Sequence, residues 1–388
     1  MPVRPTQSSL PPWLKPGSSR RAGARGFVAR VVIGLTLLGS SAAIADPIVI
    51  SRELCNGLWI VPLTWSSEQS GKMHELTAVF DTGGSSLFID PDSLERVSGQ
   101  RIEAGRRVRM AGVSAPGIEF TKFRPTVREM SHLGAALGKD FDVFLPFPAF
   151  AGKLLVLDYP AREMRIEEGT LPAPDGETVF SARGPDKRPW LAVDLGGWDR
   201  KILIDSGSNG RIELKRLGRL NWIGEPIVAA VKTRMDKYVQ RRAGRIRDSL
   251  TIANLVFEQP IVSITRDTEL IGVQVLRHFV VTFDPRHRRV RFEPAIDGPV
   301  RMAPERNTGA LLRADPAGYF EVALVHPATP AQRAGIRPGE RVVELDGVPV
   351  AARGCRRLDD PEPTRLGLGV QRGDRIERID VEVIDLIE

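Results

Sequence analysis

Apolar residues in this chain come in short runs set apart by glycine, proline and polar clusters, and long stretches of helical spacing are rare. Leu58-Trp59-Ile60-Val61-Pro62-Leu63 and Trp190-Leu191-Ala192-Val193-Asp194-Leu195 each predict a half-buried strand. Two hairpins with short polar turns are predicted, one from Leu157-Asp158-Tyr159 and Met164-Arg165-Ile166-Glu167, the other from Phe283-Asp284-Pro285 and Val290-Arg291-Phe292-Glu293. Ile227, Val231, Met235 and Tyr238 fall at helical spacing on a basic segment, which predicts a surface helix or a mobile covering element. Leu366-Gly367-Leu368-Gly369 lacks the strand-loop-helix setting of a dinucleotide fingerprint and predicts an edge strand.

These elements repeat. Leu76-Thr77-Ala78-Val79-Phe80-Asp81-Thr82-Gly83-Gly84-Ser85 parallels Lys201-Ile202-Leu203-Ile204-Asp205-Ser206-Gly207-Ser208-Asn209, an apolar strand running into Asp-(Thr/Ser)-Gly 124 positions later. The hairpins and the strand preceding each motif recur in the same order. An internal duplication follows, and with it an all-β reading: lobes at 46–170 and 189–297, a proline-containing linker at 171–188, and a separate α+β domain at 308–388.

A chain of 388 residues is too long for one ordinary core. Hydrophobic residues at 42% and charged residues at 27% place it among folded proteins. Residues 1–45 read as a signal peptide: Arg20, Arg21, Arg25 and Arg30, an apolar run near Val31–Leu38, then Ala43-Ile44-Ala45. That run is well short of the ~20 residues that span a bilayer, so no stable membrane insertion and an exported, periplasmic or secreted location are expected. The leader holds six basic and no acidic residues, and setting it aside lowers the formal charge from +7 to +1. No basic cluster interleaved with aromatics remains, which argues against a nucleic-acid partner.

The only two cysteines, Cys55 and Cys355, lie about 300 positions apart; a single bridge is open to them, but two separate buried thiols are the expectation. The five histidines show no ligand spacing. Neither a metal nor a cofactor is expected.

Chemistry concentrates in the paired motifs. Two lobes related by a pseudo-twofold axis would bring Asp81 and Asp205 face to face, and carboxylates that close share a proton, one serving as base on a water and the other as acid. Gly83 and Gly207 let the loops turn tightly, and the hydroxyls of Thr82 and Ser206 can fix them. Val79-Phe80-Asp81-Thr82-Gly83-Gly84-Ser85-Ser86-Leu87-Phe88-Ile89 resembles the first active-site strand and loop of the pepsin and retropepsin aspartic peptidases, and Ile204-Asp205-Ser206-Gly207 resembles the second. Leu270-Ile271-Gly272 is similar to the strand that supports the second loop. The resemblance covers about residues 46–297 and implies a peptide or protein substrate held in a cleft between lobes. In the first lobe Phe144-Leu145-Pro146 departs from the apolar-apolar-Gly pattern and is expected to distort the supporting strand. Arg109–Phe120 is a candidate flap hairpin without the family's tyrosine.

From about Gly309, Tyr319-Phe320-Glu321-Val322, Pro330-Ala331-Gln332-Arg333-Ala334-Gly335-Ile336 and Val343-Glu344-Leu345-Asp346-Gly347 resemble a bacterial-type PDZ domain. The resemblance implies that the C-terminal carboxylate of a substrate or partner sits on N–H groups near Gly318, Tyr319 and Phe320. Together these features predict an exported aspartic endopeptidase that recruits through its PDZ module. A catalytically silent peptide-binding scaffold is the competing class, and an adaptor working through the PDZ module alone is a third.

Overall fold

The computed structural model describes residues 46–66, 71–195, 197–215, 220–357 and 359–388, and the expected leader at 1–45 lies outside them. Strands dominate because the apolar runs are rich in β-branched and aromatic residues that pack on a pleated surface. Leu58–Ser66 pairs antiparallel with Met73–Asp81, setting Trp59 opposite Phe80, Val61 opposite Ala78 and Leu63 opposite Leu76. All six side chains are buried, so one face of this pair forms core. Val143–Pro146 then runs parallel to Met73–Asp81, and Phe88–Ile89 packs antiparallel on its other side. The distortion expected at Pro146 does not occur. It ends its strand in register with Asp81, a strand-terminal position that a proline can occupy.

The second sheet shows the same order and sense. Trp190–Asp194 pairs antiparallel with Asp199–Ile204, Leu270–Ile271 runs parallel to the latter, and Ile212–Leu214 lies antiparallel beyond it. Between the two sheets lies a six-stranded one, in which Leu154–Asp158 and Phe279–Asp284 pair with Leu155 opposite Phe283. The predicted hairpins supply Glu163–Glu167 and Arg289–Pro294 to it, and Val179–Ser181, inside the expected linker, adds an edge. One apolar core, from Trp59 and Phe80 through Leu155 to Phe279 and Phe292, runs through all three sheets.

The segment containing Ile227, Val231, Met235 and Tyr238 is not a helix. Trp222–Thr233 and Tyr238–Ile246 form a long antiparallel hairpin. A β-bulge between Val228 and Ala230 shifts the register, so Ile227, opposite Ala243, and Val231, opposite Gln240, fall on opposite faces, and the neighbouring β-branched residues outweigh the helical spacing. Arg109–Phe120 does contain a short hairpin, Val113–Ala115 with Ile118–Glu119.

Residues beyond 308 have their own core of Val322, Ala331, Ile336, Val342, Leu368 and Val370. Leu366–Gly369 is not at an edge: it belongs to Arg365–Arg372, flanked by Arg341–Leu345 and Arg375–Glu382. A Cβ on Gly369 would lie 2.7 Å from that of Glu344, so this glycine admits a neighbouring side chain and does not mark an edge. The expectation of two separate thiols is also overturned, since Cys55 and Cys355 form a disulfide. Spacing in sequence could not show it because the fold lays the loop around Cys355 against the turn after Cys55. There the N–H of Asn56 donates to the carbonyl of Arg356 at 3.0 Å.

Candidate functional site

Each motif strand ends at the sheet's rim, and the loop that follows turns back across the sheet interface. The Thr82 N–H donates to Ser206 Oγ at 3.0 Å and the Ser206 N–H donates to Thr82 Oγ1 at 2.8 Å. The Thr82 hydroxyl donates in turn to the Ile204 carbonyl at 2.7 Å. Both residues are fully buried, so these are bonds that water cannot replace, and breaking one strands a polar group.

This bridge brings Asp81 and Asp205 together, and their side chains are hydrogen-bonded to one another. Asp81 Oδ1 accepts from the N–H of Gly83 at 2.6 Å and of Gly207 at 3.2 Å, while Asp205 Oδ1 accepts from Gly207 at 3.0 Å. The glycines are required sterically. A Cβ on Gly83 would lie 2.5 Å from Asp205 Cγ, and one on Gly207 would lie 2.3 Å from Asp81 Cγ. Each motif's glycine is therefore pressed against the other motif's carboxyl.

Burial is the main cause that holds the Asp81 carboxyl well above the usual range, and the Asp205 charge and the hydrogen bond between the two add to it. Asp205 is raised too, again chiefly by burial, but Lys232 and the bond from Asp81 pull it back. Burial thus raises both carboxyls, and the two titrate as one coupled pair. Tyr159, buried close by, has its phenol pushed up by burial, with both carboxylates contributing.

Several residues at this centre carry no signal in the sequence. Arg188 Nη1 donates to the Gly83 carbonyl at 2.9 Å while its guanidinium pairs with Asp186, so the end of the expected linker holds the first motif loop in place. Lys232 comes from the long hairpin. Beside the pair lies a cavity of about 210 Å³ with an apolar side of Leu58, Leu133, Leu137, Phe141 and Phe144, and a polar side of Asn209 and Lys232. The hairpin closes over it. His132 Nε2 donates to the Arg234 carbonyl at 2.9 Å, and Met235 packs with Val79, Met130 and Leu137. Among the described residues no cluster of His, Cys, Asp or Glu could hold a metal ion. None of their helices is long and apolar enough to cross a membrane.

Residues 321–360 match the family model of the PDZ domain, and a PDZ domain, a peptide-binding module, is present there. No curated protein matches the chain. Gly318, Tyr319 and Phe320 lie just before the matched segment, at the turn between Ala310–Asp315 and Tyr319–Val325. The Gly318 N–H donates to the Asp315 carbonyl at 3.0 Å, closing that turn. Tyr319 lies under the Arg341 guanidinium and Phe320 under that of Arg353. The outer strand Ala310–Asp315 faces the long hairpin, where Tyr238 Oη donates to the Ala314 carbonyl at 3.1 Å and His326 Nε2 to that of Val228 at 2.6 Å.

Proposed function

We propose that residues 46–297 are an aspartic peptidase built from two duplicated retropepsin-like lobes, and that the PDZ domain recruits its protein substrate or a partner. The observation that carries this reading is the hydrogen-bonded Asp81–Asp205 pair, held by reciprocal Thr82–Ser206 bonds between loops of like sequence. The chemistry needs one ionised and one protonated carboxyl. Ionised Asp205 takes a proton from a water molecule, whose oxygen attacks the peptide carbonyl carbon as Asp81 gives its proton to the carbonyl oxygen. The tetrahedral intermediate collapses by breaking the C–N bond as Asp205 gives its proton to the amine nitrogen and a hydroxyl of the intermediate returns one to Asp81. Neither a covalent intermediate nor a bound metal is needed. An exported location accords with the disulfide, which persists in an oxidising compartment.

The test is hydrolysis of a peptide library by the wild type and by Asp81→Asn and Asp205→Asn. Each variant is expected to lose at least the ~10²–10⁴-fold that positioned acid–base groups supply. The wild-type rate should be bell-shaped in pH, since only the singly protonated pair is active. Undiminished turnover by either variant would falsify the mechanism. A folded wild type with no hydrolysis of any library member would favour the silent scaffold.

A further inference from the structure

Lys232 stands on Trp222–Thr233, the outer strand of the long hairpin, and lines the cavity beside the aspartates. Its Nζ donates to Ser208 Oγ at 2.9 Å, three residues past Asp205, and to Glu213 Oε1 at 2.5 Å. Glu213 has a nearly buried side chain and also faces Arg234 at 3.5 Å and Arg241 at 3.4 Å, and both arginines reach Asp267. Lys232 is therefore one cation more than Glu213 needs, and it is the cation of the group that bonds to the loop of Asp205 through Ser208. The charged and titratable groups facing the pair are Lys232 and Glu213 from the second lobe, Tyr159 from the central sheet, and Arg188 on the Gly83 carbonyl.

We infer that Lys232 is a positioning residue for the reaction proposed above: its ammonium keeps the negative charge on Asp205 and so assigns the shared proton to Asp81. The inference rests on the peptidase reading for its use, but not for its detection. Because Lys232 belongs to the covering hairpin and not to either motif, the acid and base roles are set only when the hairpin lies across the cleft. Two carboxyls with near-identical backbone settings would otherwise divide the proton more evenly. Burial raises Asp205 and the Lys232 charge is the leading influence that lowers it, which accords with this assignment.

Lys232→Met keeps the aliphatic stem, and Arg234 and Arg241 remain on Glu213, so the variant is expected to fold. Lys232→Arg keeps the charge. With the cation gone, both ionisations of the pair become harder, and both limbs of the pH–rate profile should move to higher pH in Lys232→Met and return in Lys232→Arg. A merely structural lysine would scale the height of the profile and leave its limbs in place, and that result would overturn the inference. If the wild type hydrolyses nothing, the peptidase reading fails while this one is still decided. Carbon-13 NMR titration of the aspartate carboxyls in wild type and Lys232→Met reads the same displacement without turnover, and superimposable titrations would refute the role of Lys232.

Discussion

Asp81 is only 8% exposed, and burial raises its carboxyl well above the usual range, which ties the site to stability. An acid with a raised folded-state pKa stabilises the fold at low pH, and that contribution is lost as pH rises from the unfolded value through the folded one. Asp81→Asn removes the titration while its amide oxygen can still accept from Gly83 and Gly207. Its melting temperature should exceed that of the wild type by about 2 °C at pH 7, with the gain shrinking toward pH 4, by differential scanning calorimetry. A difference independent of pH would show that Asp81 does not carry this penalty. Thr82→Ala acts oppositely: it deprives the Ser206 N–H of its acceptor inside the core, which costs about 1–3 kcal/mol, and urea denaturation should show it. Asp81, Thr82, Gly83, Asp205, Ser206 and Gly207 were legible as a site because each motif is local and its twin lies in the same chain. Arg188 and Lys232 were not, since what they do depends on which loop they reach, and no residue near them in sequence records that.

The long hairpin shows at the level of an element why local pattern misleads. Its apolar residues fall at helical spacing, and what selects the strand is pairing with Ile261–Ile264, where Ala243 opposes Ser263 and Gly244 opposes Val262. The twin motif strands were easier to read, because their apolar runs are continuous and each ends in the same turn. Beyond its sheet the hairpin leaves home: the Tyr238 ring meets His132 edge-on at 6.3 Å and lies under the Arg313 guanidinium at 4.7 Å. Those contacts, together with the bond to Ala314, are what keep the tip across the cleft. Tyr238→Ala removes them together and should speed amide hydrogen exchange at residues 229–238 and 310–315, leaving the motif strands protected. Tyr238→Phe loses only the hydroxyl, about 1 kcal/mol, and should show a smaller change at the same amides. Equal protection in both variants and the wild type would mean that other contacts hold the hairpin.

At the scale of the whole molecule three of the attachments between the PDZ domain and the rest of the chain differ in kind. The hairpin meets the PDZ domain through a hydrogen bond from Tyr238 to the outer strand and one from His326, just past Tyr319–Val325, to Val228. Ile384–Ile387 pairs with Glu305–Asn307, and nearby Arg245, whose Nη1 donates to the Gln259 carbonyl at 2.7 Å, reaches the carbonyl of Glu388. The third is the Cys55–Cys355 disulfide, with Asn56 and Arg356 exchanging hydrogen bonds beside it at 3.0 and 3.1 Å. The turn pattern near Ala334-Gly335-Ile336 marked the PDZ domain, but how it touches the rest of the chain is written in pairs 76 to 300 residues apart, each a single contact without periodicity. A cross-link with a sequence separation of 300 restricts the unfolded chain strongly, and loop-closure entropy puts its contribution at about 3–5 kcal/mol. The Cys55→Ser, Cys355→Ser double variant should therefore melt at lower temperature than the wild type, and the PDZ domain should loosen first, because a few polar contacts, the packing of Ile387 on Ala229, Ala243 and Ile261, and one short strand pair then hold it. Limited proteolysis is the direct measurement: cleavage between 298 and 308 should appear in the double variant, and in the wild type only after reduction. If that segment is cut equally fast with the disulfide intact, the bridge does not restrain the PDZ domain, and the hairpin contacts carry the docking alone.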